Sequence, residues 1–253
     1  MEVADYLEFM VKNQASDLFF STGSPVMVKI EGITHPINNK LLLKPGLVKQ
    51  LAYSLMSDQH IKQFEADWEA NLGVSISNLG RFRVNVLRQR GEVSMVVRYI
   101  KHQPPTIKEL NLPDYLKGLV MEPRGLILVA GATGSGKSTT LASMIDYRNQ
   151  ETHSHILTIE DPIEYLYQYK KSIVNQREIG TDTKSYSSAL RNAMREAPDV
   201  ILIGEIRDQA TMHSAITYAE TGHLCLATIH ASNSIETLDR VLNFFPDNNH
   251  KQL

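Results

Sequence analysis

The chain is poor in the features that staple, anchor or charge a protein. A single cysteine in 253 residues rules out an intramolecular disulfide, and Cys225, inside the apolar run HLCLATI, reads as a buried structural thiol of a reducing compartment. Long hydrophobic runs are missing too: no segment approaches about eighteen consecutive apolar residues, so no membrane span is expected. Positive charge is not in excess. Lys and Arg number 26 against 28 Asp and Glu, a formal net charge of -2, which gives no global field for nucleic acid, and no long basic stripe supplies a local one. The opening MEVADYLEFMVKN is acidic and amphipathic and lacks the basic start and apolar centre of a signal peptide. Neither an internal repeat nor a low-complexity segment occurs. What these absences leave is a cytoplasmic, globular class, with 42% hydrophobic residues to build one large domain or two modest ones.

Two patterns divide the chain. In residues 1–100, Val3, Tyr6, Leu7, Met10 and Val11 recur at helical spacing, and the strand-like runs DLFFS and VMVKIEG follow. Leu47, Val48, Leu51, Ala52 and Leu55 share one helical face, and a Ser57/Asp58 capping signal opens a second helix expected to carry Ile61, Phe64 and Trp68. RFRVNVLRQ and EVSMVVRYI read as strands joined by a turn at Arg90-Gly91. In the first of them Phe82, Val84 and Val86 alternate with Arg81, Arg83 and Asn85, so one face is core and the other presents two guanidinium groups.

Residues 101–113, KHQPPTIKELNLP, contain paired prolines and are expected to be a stiff linker. From 114 to 253 short aliphatic runs (GLILVAG, HILTIE, VILIGE, LCLATIH) alternate with amphipathic stretches. One sets Tyr186, Ala189, Leu190, Ala193, Met194 and Ala197 on one side; another aligns Met212, Ala215, Ile216 and Ala219. Nearly continuous aliphatic strands separated by such helices predict an α/β fold with a parallel sheet covered on both faces.

The strongest chemical signal is GATGSGKST: Gly131, Ala132, Thr133, Gly134, Ser135, Gly136, Lys137, Ser138 and Thr139. It follows the strand GLILVA and opens a helix, the context a phosphate-binding loop requires. Its glycines let backbone N–H groups converge on phosphate oxygens, Lys137 reaches the outer phosphates, and Ser138 can ligate Mg2+. ATP and Mg2+ are the expected cofactors.

Phosphoryl transfer next needs an acid near the metal and a group that orients the attacking water. VILIGEIRD brings Glu205 out at the carboxyl end of a strand, where a parallel sheet places ligands. Gly204 stands where an aspartate often sits in this pattern, so Glu205 is read as the hydrolytic glutamate, touching the metal as well, and a second acid is sought. Glu160 of TIEDPIEY, at the end of another aliphatic strand stopped by Pro162, is the natural candidate. Asp208 is read as solvent-facing charge. His223 and His230 flank the strand LCLATI; their rings would lie about 20 Å apart, so they are not a metal pair, and His230, at the carboxyl end, is preferred for the nucleotide.

Together these motifs resemble the secretion ATPase superfamily of type II secretion and type IV pili. Within it, SDLFFSTGSPVMVKIEG and GRFRVNVLRQRG look like the retraction branch, the PilT/PilU group. The stretches IVNQREIGTDTKSYSSALRNAMREAPDVILIGEIRD and GHLCLATIHASNSIETLDRVLNFFP look closer to its PilU members. The resemblance implies a PAS-like α+β N-terminal domain (1–100), the linker (101–113) and a RecA-like P-loop core with a parallel sheet (114–253). It also implies a homohexamer with ATP held between domains, and retraction of a pilus through an inner-membrane platform protein, with a second retraction ATPase as a further partner. The location implied is the cytoplasm, peripheral at the inner face of the membrane. By match, Arg81 and Arg83 would serve as charge-neutralising fingers because their shared strand face points both guanidinium groups one way; Arg98 is a weaker candidate. Family members continue past the FFP region with a C-terminal helical part used for work on the pilus, whereas this chain stops at Leu253. Two other functions use the same core: a nucleic-acid translocase, which would need a basic, aromatic-bearing loop that the sequence lacks, and a non-hydrolysing regulatory subunit, which the intact lysine and acids oppose.

Overall fold

The computed structural model describes residues 2–100 and 103–245 and divides into two compact units, Met1–Lys101 and His102–Leu253. In the first, α1 (Val3–Lys12), α2 (Leu47–Tyr53) and α3 (Asp58–Asp67) accompany strands β1 (Asp17–Phe20), β2 (Met27–Ile30), β3 (Ile33–Pro36), β4 (Glu69–Ile76), β5 (Gly80–Gln89) and β6 (Glu92–Ile100). The strands form one six-stranded sheet in the order β3-β2-β1-β6-β5-β4, every pairing antiparallel. Phe82, Val84 and Val86 of β5 are buried beside Leu7, Met10, Phe20 and Phe64, so the alternation read from the sequence sets the sheet's inner face. Arg90 and Gly91 both take positive φ, +51° and +79°, the backbone a two-residue hairpin turn requires.

Two features of this unit depart from the sequence reading. Trp68 is not a core residue of the helix: α3 ends at Asp67, Trp68 sits at its C-cap with φ +64°, and it is 59% exposed with the Arg88 guanidinium 5.6 Å over its ring. The αL turn at the helix end carries the side chain away from the face that Phe64 occupies. Strands β3 and β4 were also absent from that reading. Gly73 lies within β4, and its lack of a side chain is used: a Cβ there would lie 2.9 Å from Arg81 Nη2, so the guanidinium crosses β4 where the glycine makes room.

The second unit contains α4 (Tyr115–Met121), β7 (Gly125–Ala130), α5 (Lys137–Glu151), β8 (His155–Glu160), β9 (Ile173–Glu178), α6 (Tyr186–Ala193), β10 (Val200–Ile203), α7 (Gln209–Glu220), β11 (Leu224–Ile229) and α8 (Ser234–Asn243). Its five strands are ordered β7-β11-β10-β8-β9 and all run parallel. Every residue of β10 and β11 is buried. At roughly 1.5–3 kcal/mol for each fully buried large aliphatic side chain, these central strands make a rigid base for whatever follows their carboxyl ends. Ser185 caps α6 by accepting from Ser188 N–H, but the helix stops at Ala193. Met194 begins a 3₁₀ turn instead of continuing the apolar face.

Residues 103–113 are anchored at Pro104 and Ile107, which are buried. Ile107 is buried in the core of the second unit with Leu141, Met144 and Ile145, and the Pro105 carbonyl accepts a hydrogen bond of 2.6 Å from Ser143 Oγ on α5. Proline removes a donor but leaves its carbonyl and the flanking apolar side chains able to dock, so the stretch expected as a linker belongs to this unit. Lys101, His102 and residues 246–253 lie outside the described residues.

Candidate nucleotide site

The carboxyl ends of β7, β8, β10 and β11 converge on a cavity of about 200 Å³ whose lining includes Lys137, Ser138, Glu160, Asp161, Glu205 and His230. The loop after β7 turns into α5 at Gly136, the N-cap, with φ +92°, a conformation that costs a residue with a Cβ far more than glycine. The Lys137 ammonium donates to the carbonyl oxygens of Gly131 and Ala132, each at 2.9 Å. It therefore sits across the loop mouth, where the unpaired N–H groups of a helix start favour an anion. Thr139, one turn in, has its hydroxyl 3.3 Å from that of Tyr165.

Glu205 follows β10 and is 19% exposed in its side chain, not solvated. Its Oε2 accepts from Arg207 Nε at 2.8 Å and its Oε1 lies 2.9 Å from His230 Nε2. Burial pushes this carboxyl's pKa up, but Arg207, His230 and Lys137 together outweigh it and hold the group below the ordinary glutamate value. The preceding Gly204 is dictated by packing. A Cβ there would lie 3.0 Å from the Tyr186 hydroxyl, 3.2 Å from Glu160 Cα and 3.3 Å from the Ile159 carbonyl oxygen, so an aspartate at this position would have to push β8 away. Asp208, read as a solvent-facing charge, is exposed but also caps α7 through a 2.8 Å bond from Thr211 N–H.

Glu160 is the opposite kind of carboxyl. It is 9% exposed, accepts from Thr158 Oγ1 at 2.6 Å and from Gln176 Nε2 at 3.3 Å. Burial pushes its pKa up to about 7, with Glu164 adding to the rise and the Thr158 and Gln176 bonds opposing it. Since the folded value lies above the unfolded one, the group's contribution to stability is complete below about pH 4.5 and is lost as pH rises through about 7. The displacement from 4.5 to about 7 corresponds to about 3 kcal/mol at most. Glu160→Gln should accordingly lose less stability than the parent between pH 5.5 and 8, by up to about 2 kcal/mol because part of the loss falls below pH 5.5, in urea unfolding followed at both pH values; equal losses in the two proteins would refute a buried, proton-holding Glu160.

His223 stands before β11, its Nδ1 3.2 Å from the Tyr218 carbonyl oxygen, and takes no part in the cavity. Arg81 and Arg83 are on β5 of the first unit and are not among the residues lining it. Arg98 pairs with Asp17, Nε to Oδ1 at 2.8 Å. Two groups escaped the sequence reading. Arg207 was in plain sight, two positions after Glu205, while Gln176 lies on β9, a strand that reading did not place.

A parallel sheet with a glycine-rich loop at its carboxyl edge, a lysine across the loop mouth and two acids behind it defines a P-loop nucleotide-binding protein. The chain belongs to the type II/IV secretion system protein family, whose model matches residues 2–249. It is 46% identical over its full length to the type IV pilus ATPase PilU of Pseudomonas aeruginosa, spanning 66% of that protein. It is 45% identical to the type IV pilus retractation ATPase PilT of the same organism, over 97% of this chain and 71% of the relative. Among solved structures, that of the pilus retraction motor PilT with bound ADP superposes with a TM-score of 0.94 at 45% identity, covering 100% of this chain and 74% of the other. Among the described residues no helix is long and apolar enough to cross a membrane.

Proposed function

We propose that the chain is the catalytic portion of an ATP-hydrolysing motor that retracts type IV pili. The observation that carries this reading is the cavity where Lys137, Ser138, Glu205 and His230 meet. The names of the PilU and PilT relatives support pilus retraction as the work performed. Lys137 and the N–H groups of the loop bind the phosphates, and Glu205, kept anionic, orients the attacking water and accepts its proton. His230 fixes one Glu205 oxygen and lies where it can follow loss of the terminal phosphate. Glu160, with its pKa near neutrality, assists at the same cavity.

The donor set suits Mg2+. The hydroxyl of Ser138 would hold the ion, and no cluster of three His, Cys, Asp or Glu occurs among the described residues, as fits a cation bound mainly by phosphate oxygens and water. When bound with ATP, the ion would neutralise charge on the outer phosphates. Glu205, with Oε2 held by Arg207 and Oε1 beside His230, would reach it through water. In the proposed homohexamer, Arg81 and Arg83 supply the charge-neutralising fingers. The ring would work at the inner face of the cytoplasmic membrane with a platform protein and a second retraction ATPase.

Phosphate release from saturating ATP tests the catalytic reading. Turnover should require Mg2+, falling at least about 100-fold in EDTA and returning when Mg2+ is restored. A chain that binds ATP tightly yet releases no phosphate in assembled form would instead be a regulatory subunit.

A further inference from the structure

Arg207 is assigned no task by the reading above, yet its surroundings are built to hold it still. On its N-terminal side, Gly204 N–H donates to the Ile159 carbonyl at 2.8 Å and Ile206 N–H to the Thr228 carbonyl at 2.9 Å, while Thr228 Oγ1 donates to the Gly204 carbonyl at 2.6 Å. Ile206 itself is buried. On its C-terminal side Asp208 caps α7. The main chain carrying Arg207 is therefore fixed from both directions, and the guanidinium spans two carboxylates. Its Nε and Nη2 lie 2.8 Å and 2.7 Å from Glu205 Oε2, and its Nη1 lies 3.6 Å from Asp161 Oδ2 at the end of β8.

The Arg207 side chain is 58% exposed against 19% for Glu205. As a surface ion pair it would stabilise the fold by less than about 1 kcal/mol. Its geometry has a larger consequence. With the Nε–H bond and the nearby Nη2 both on Oε2, that oxygen is held by the guanidinium, and Oε1, beside His230, is the one turned to accept a proton from water.

We infer that Arg207 is a positioning residue for the hydrolytic step: it fixes Glu205 through Oε2, with Asp161 steadying the guanidinium, so that Oε1 is presented for catalysis. The inference rests on Glu205 being the hydrolytic glutamate. Arg207 touches neither phosphate nor metal in this role. Its loss should therefore appear in kcat rather than in binding.

Three variants test it, with Glu205→Gln as the reference. Arg207→Gln should lower kcat about 10- to 100-fold, the loss expected when a catalytic group is let out of register, while KM and ATP affinity stay within about threefold of the parent. Arg207→Lys, which keeps the charge but not the planar guanidinium that reaches both Glu205 and Asp161, should recover part of the rate. Arg207→Ala should be partly rescued by millimolar guanidinium, and Arg207→Gln added to Glu205→Gln should cost nothing further. A kcat within about twofold of the parent for Arg207→Gln, with Glu205→Gln inactive, would reduce Arg207 to an ordinary surface pair. A parallel loss of ATP affinity would move it into the binding site and also overturn the proposal. If Glu205→Gln itself turns over normally, the assignment of Glu205 fails first and the role of Arg207 falls with it.

Discussion

Glu205→Gln should leave ATP bound and stop its hydrolysis, with kcat down at least about 1,000-fold, the scale set by removing a group that both orients and deprotonates the nucleophile. The substitution keeps volume and shape. Its carbonyl oxygen can still accept from Arg207, and its amide nitrogen can donate to a neutral His230, so neither neighbour is stranded. What disappears is the negative charge and the lone pair that takes the proton. Affinity for ATP should hold or rise slightly, because a carboxylate in the same cavity as Lys137 repels phosphate. Phosphate release in single-turnover and steady-state assays, alongside equilibrium titration with nucleotide, separates the two effects. Turnover near the parent rate would sink the role given to Glu205, and Glu160 would then be the next group to examine.

In the proposed mechanism the two acids take different parts because their surroundings differ. Glu205 lies beside Arg207, His230 and Lys137 and is held below the ordinary glutamate pKa; Glu160 lies in a dry niche beside Thr158 and Gln176, with a pKa of about 7. Environments that push two carboxyls apart in this way are a recurrent device of catalytic sites. Gly204 is part of the same arrangement. By letting β10 approach Glu160 Cα and the Tyr186 hydroxyl this closely, it holds the two acids beside one cavity, an approach that a side chain at this position would have to loosen.

The loop, the parallel sheet and both acids were legible because each is written locally: glycines at fixed offsets, four aliphatic runs, and carboxylates at the ends of two of them. The inner face of β5 was legible for the same reason, its alternation being uninterrupted. What stayed hidden depended on partners distant in the chain. Strand β9 alternates weakly because it is an edge strand, with Ile173 exposed and asparagine and glutamine beyond it, and an edge strand carries little apolar signal. Without β9, Gln176 could not be placed against Glu160, and the burial of that acid was unreadable. Trp68 misled for a different reason, since helical spacing from Phe64 predicts a core position only if the helix persists, and an αL C-cap ended it one residue earlier.

Lys137→Ala should weaken ATP binding at least about 100-fold, or about 2.7 kcal/mol, while leaving the fold intact. The ammonium rests on the Gly131 and Ala132 carbonyls, so it offers a fixed positive charge at the mouth of the loop instead of one that must be drawn in from solvent. Fixed charge at the start of α5 adds to the unpaired N–H groups there, and both act on the same phosphate oxygens. Alanine removes the charge and the two bonds that tie the loop to α5; methionine keeps most of the stem and removes the same charge. If the lysine acts through charge, both variants should lose affinity alike. If it also braces the loop, the loop's amides should in addition exchange faster in both, whereas a role through charge alone leaves their exchange as in the parent. Fluorescent-nucleotide titration and amide hydrogen exchange on 131–139 distinguish the cases. ATP affinity within about threefold of the parent in both variants would remove this lysine from the phosphate site.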